Sequence, residues 1–75
     1  MIQWDKTECG FVRGEFRDRY GKDCSIQKSS LATEDCIWLG VDHNDTRYER
    51  MHLTQEMAGI LAAVLLKFYI TGELP

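Results

Sequence analysis

Apolar positions recur most clearly near the C-terminal end, where Met57, Ile60, Leu61, Val64, Leu65 and Phe68 follow one another at helical spacing. Thr54 is a good N-cap before them, and Glu56 falls in the first turn, where the helix dipole favours a carboxylate. Gly72 stands where a left-handed residue ends a helix, and Pro75 follows it. These signals predict a helix over 54–71. Its opposite side is apolar as well: Gly59, Ala62, Ala63, Leu66 and Ile70 form a second stripe, and Lys67 is the only charge between Met57 and Gly72. A helix that is apolar all round has to be covered on both sides, and a small sheet covers one. The stripe from Met57 to Phe68 is therefore expected to face the sheet. The second stripe, whose small residues admit a close neighbour, is expected to be the interface of a homodimer. A membrane role is not expected, because a span needs about 20 apolar residues, and this run is shorter and carries Lys67.

Upstream the period changes from helical to two. Val12, Gly14, Phe16 and Tyr20 fall on one side and Arg13, Glu15, Arg17 and Arg19 on the other, the signature of a half-buried strand. Gly21-Lys22-Asp23 supplies a turn, and Cys24 to Lys28 can return as the second strand of a hairpin. After a polar connection, with room for one helical turn near Leu31, Cys36-Ile37-Trp38-Leu39-Gly40-Val41 reads as a strand covered on both faces. Turn-forming residues from Asp42 to Thr46 follow. A further strand from Arg47 to Leu53 would turn Met51 and Leu53 inward, Arg50 and His52 outward. Residues 1–8 have no clear period and fit an arm or a short edge strand. The pattern predicts a single α+β domain over 1–75: a small antiparallel sheet of three or four strands within 11–53, packed against one C-terminal helix.

At 75 residues, 44% of them apolar, the chain is globular in composition but short. Domains of this length bury only about 60% of the surface their unfolded chain exposes, and commonly need a staple or a partner. Three cysteines, Cys9, Cys24 and Cys36, cannot complete a disulfide framework. Met1 to Asp5 has neither a basic start nor an apolar run, so no secretory signal is expected. Free thiols in a host-cell cytoplasm are the expectation, with association as the stabiliser. Nine basic against twelve acidic residues, a net charge of −3, argue against a non-specific nucleic-acid binder.

Candidate chemistry is sparse. Cys24, Cys36, His43 and His52 lack the close ligand pairs that make a zinc site readable. A thiol nucleophile would need His43 or His52 as its base, and no spacing enforces that meeting. Asp42 and Asp45 are explained by the turn, and Gly10 and Gly14 do not make a phosphate loop. Neither a catalytic residue, a metal nor a cofactor is expected. Arg13, Arg17 and Arg19, with Lys28 from the second strand, make the most suggestive polar feature. Such a face can meet phosphate, nucleic acid or an acidic protein surface, or it can simply be solvated, with Glu15 interleaved. Tyr20 and Trp38 fit either stacking on a base or the core.

Three stretches carry a resemblance: Asp18-Arg19-Tyr20-Gly21, Cys24 through Ala32, and Ile37-Trp38-Leu39-Gly40. With Arg50-Met51-His52-Leu53-Thr54 and Thr71-Gly72-Glu73-Leu74, the chain from about residue 17 to 74 resembles a group of short proteins encoded by tailed phages and prophages. The link between the third strand and Met51 is shorter here. The resemblance implies an origin rather than a mechanism. Small acidic phage proteins often act by occupying a host protein's surface, so the expected function is non-catalytic inhibition of a host or antiviral-defence factor by a homodimer. The alternative is a module that sequesters a nucleotide-like ligand, or contacts nucleic acid, through the arginine face.

Overall fold

The computed structural model describes residues 1–31, 33–42 and 50–75. It is an α+β fold: five antiparallel strands in the order of the chain, then one helix. The strands are β1 (Gln3–Lys6), β2 (Val12–Arg17), β3 (Asp23–Lys28), β4 (Cys36–Val41) and β5 (Met51–Thr54), and the helix α1 is Gln55–Thr71. Each strand pairs with its sequence neighbour, so the sheet is a simple meander. One strand more is present than the three or four expected, because the N-terminal segment is an edge strand. Among the described residues no helical turn forms near Leu31, whose amide bonds the Ser29 hydroxyl.

Local chemistry explains the turns. In the β1–β2 turn, the amides of Phe11 and Gly10 donate to Thr7 Oγ1 and the Thr7 carbonyl, with Gly10 at φ +85. In the β2–β3 turn, Asp18 Oδ1 accepts the amides of Tyr20 and Lys22, both at 2.9 Å, and Gly21 takes φ +80. A residue with a Cβ is disfavoured at such angles.

The register sorts the side chains. Gly14 lies opposite Ile26, and Ile26 opposite Leu39, so Trp4, Val12, Phe16, Cys24, Ile26, Ile37, Leu39, Met51 and Leu53 share one face. Arg13 lies opposite Gln27, Gln27 opposite Trp38 and Trp38 opposite His52, which defines a polar second face. Met51 and Leu53 share the apolar face and His52 the polar one, as the alternation requires, but only Leu53 is buried and Met51 is 50% exposed; 47–49 of the expected strand lie outside the described residues. Of the two alternatives for Tyr20, the core position is overturned. β2 ends at Arg17, and Tyr20 is exposed in the turn beyond it.

The helix starts and stops where its capping residues require. The Met57 amide donates to Thr54 Oγ1 at 3.2 Å, and Gly72, at φ +76, donates its amide to the Phe68 carbonyl. Its placement differs from expectation. Thr54 is both the last residue of β5 and the N-cap, so no connecting residue lets the chain double back over the sheet. Close packing of α1 is chiefly against β5, and none of its residues is buried. The stripe from Met57 to Phe68 is thus not seated on the chain's own sheet: Ile60 is 59% and Leu65 60% exposed. Among the described residues only Cys24, Cys36 and Leu53 are buried hydrophobics.

Candidate binding face

Among the described residues, the polar face carries the densest side-chain network. Trp38 and His52 sit opposite each other on β4 and β5, with ring centroids 4.0 Å apart and planes inclined by 14°. His52 Nε2 lies 3.0 Å from the Ser29 hydroxyl, which fixes the ring in the stack. Arg50, just before β5, places its guanidinium carbon 5.7 Å from the Trp38 ring centroid, a cation–π distance. Its Nη1 donates to Gln27 Oε1 at 3.1 Å and to Ser25 Oγ at 3.3 Å. Ser25 is fully buried, so this bond satisfies a hydroxyl that water cannot reach.

Arg13 approaches Gln27 from the other side, Nη1 to Oε1 at 2.8 Å. It also pairs with Glu15 at 3.2 Å and with Asp42. The β1–β2 turn, through Thr7, Glu8, Cys9 and Phe11, walls one side of this network, and a concavity of about 900 Å³ lies between them. Two arginines, Arg13 and Arg50, and four carboxylates, Glu8, Glu15, Asp23 and Asp42, line it. Its field is therefore acidic on balance.

The candidates from sequence are divided by this arrangement. Arg13 is half-buried in the network. Arg17 shares its face but pairs at the rim with Asp23, 3.2 Å away, both largely exposed. Arg19 lies in the β2–β3 turn, past the end of β2. Lys28 is a correction: it lies opposite Ile37 on the apolar face and pairs with Asp35 at 2.7 Å. That hydrogen bond, with the ammonium charge, holds the Asp35 carboxyl below the ordinary aspartate value. Gln27 and Asp42 bond Arg13 directly, and Trp38 and Arg50 share its face, in place of Lys28 and Arg19. The alternation Cys24-Ser25-Ile26-Gln27 carried the signal for this, since it sets Gln27 on the polar side and Lys28 on the side of Ile26.

The register also separates the thiols. Cys24 is on the apolar face and Cys36 on the polar one, so they do not converge on one ion. Burial, together with the charges of Asp18, Asp23 and Asp42, pushes the Cys24 thiol up and keeps it protonated. All three cysteines are free thiols. His43 and Asp45 lie outside the described residues. On the helix, Gly59, Ala62, Ala63, Leu66 and Ile70 are all exposed. Among the described residues, no helix is long and apolar enough to cross a membrane. No family model matches the chain, and no curated protein or solved structure matches it.

Proposed function

We propose that the chain is a non-catalytic interaction protein that self-associates through its apolar surfaces and presents the Arg13–Trp38–Arg50 face to a host protein. The observation that carries this is the polar face itself, with a tryptophan and two arginines held by fixed partners around a concavity. Tryptophan and arginine are the residue types most enriched where truncation costs most binding energy. The guanidinium groups are already bonded to Gln27, Ser25, Glu15 and Asp42, so little ordering is left to do on binding. Cys24 is buried on the opposite face of the sheet and its thiol is pushed toward the protonated form, so it does not add a nucleophile to this face. The resemblance to short phage proteins, and the habit of such proteins of covering host surfaces, supports inhibition of a host or antiviral-defence factor in the host cytoplasm.

The nucleotide reading has a specific observation behind it, the Trp38–His52 stack with Arg50 beside it, which resembles a platform for a planar ring. The four carboxylates in the same lining oppose a phosphate, and they favour a basic protein surface instead. Affinity capture from host lysate tests the choice. Wild-type protein should retain a protein partner that Trp38→Ala with Arg13→Glu loses, while both remain folded. Identical capture by both variants, or retention of a nucleotide in place of a protein, would overturn the reading.

A further inference from the structure

We infer that the apolar face of the sheet is the docking surface for the α1 helix of a second copy of this chain. The inference rests on the self-association proposed above and adds where the second copy sits. Two surfaces of one molecule are left largely open: the sheet face, where Trp4 and Val12 are exposed and Ile26 and Leu39 half-buried, and α1, where no residue is buried and only Ala58, Leu61 and Val64 are half-buried. They are complementary in character. The helix carries only Lys67 after Glu56 and before Glu73, and charges on the sheet face, Lys6 and Lys28, lie at strand ends.

They also fit in size. A 17-residue helix is about 25 Å long, and five strands span about 19 Å from edge to edge. One helix can therefore cross the whole face. The chain's own helix is barred from doing so, because β5 passes into α1 with no residue between. Strand-to-helix reversals of this kind take about 2–6 residues.

The area agrees. The chain exposes 6355 Å², whereas a folded monomer of its 8.7 kDa would expose about 4,700 Å². Each copy thus has on the order of 1,600 Å² in excess of the same scaling. Two copies burying that much reach about 3,200 Å², inside the range of obligate homodimers. Exchange of helices about a two-fold axis covers both surfaces at once. The polar faces then point outward, one on each side of the dimer.

Inter-chain disulfide trapping tests the placement. In a Cys9→Ser background, one chain carries Val12→Cys on the sheet face and a second, distinguishable by mass, carries Leu65→Cys on the helix. Ile60→Cys serves as an independent helix position, and circular dichroism melting checks that every variant folds. Oxidation of the mixture should give the mixed covalent pair in excess over either homodimer. A dimer trapped only through Leu65 on both chains would overturn the inference and leave self-association standing. A folded chain that sediments as a monomer would overturn both.

Discussion

Lys28 and Asp35 show how much one register decides. Their pair is exposed, with the ammonium and carboxylate 2.7 Å apart at the margin of the apolar face. The folded protein holds Asp35 as carboxylate, so its contribution is complete above the ordinary aspartate range. It is lost as pH falls through the depressed folded value. Lys28→Met should raise the Asp35 pKa toward that of a free aspartate, read by carboxyl NMR titration; an unmoved value would exclude Lys28 as the cause. The same residue marks a limit of reading β3 by residue class. Lys28 belongs with Arg13 by charge but with Ile26 by alternation, and alternation wins because successive strand side chains point to opposite faces. Trp38 was ambiguous for a different reason. In Cys36–Val41 both faces are apolar, so the run itself cannot say which one its tryptophan joins.

Among the elements, β1 depends on a glycine in its neighbour. A Cβ at Gly14 would stand 2.8 Å from Ile2 Cγ2 and 2.9 Å from Trp4 Cζ3, so the side chains of the edge strand lie directly on that position. Gly14→Ala should destabilise the fold by about 1–3 kcal/mol, the usual cost of overpacking. The loss should begin at β1, as faster amide exchange at residues 3–6 than at β3. Equal stability, with exchange unchanged, would show that Ile2 and Trp4 move aside freely. The core strands and the helix were legible because their signals are local: alternation in β2, turn formers at Gly21, and a hydroxyl and a glycine at the two helix ends. β1 was legible only as one of two alternatives, an arm or a short edge strand, since Gln3-Trp4-Asp5-Lys6 has a single apolar member and its pairing is long-range information. The helix boundaries were legible but its cover was not. Helical spacing shows which residues align, and is silent on whether the surface meeting them belongs to the same chain.

At the scale of the whole molecule, two faces divide the work. The polar face is knit by side-chain hydrogen bonds and ion pairs and holds the candidate binding residues. The apolar face and α1 are left open by a connection too short to bring them together. Among the described residues only Cys24, Cys36 and Leu53 are buried hydrophobics, and a domain this short commonly needs a staple or a partner. Assembly is therefore the central claim, and it ties the fold to the proposed function, since under that proposal pairing of copies keeps the apolar surface away from the partner bound on the polar face. Sedimentation equilibrium of the wild-type protein under reducing conditions, at micromolar concentration, tests it most directly. The account predicts a dimer or a closed multiple of dimers, reduced to monomer or insoluble chain by Ala62→Glu with Leu66→Glu; a soluble, fully helical monomer across that range would contradict it.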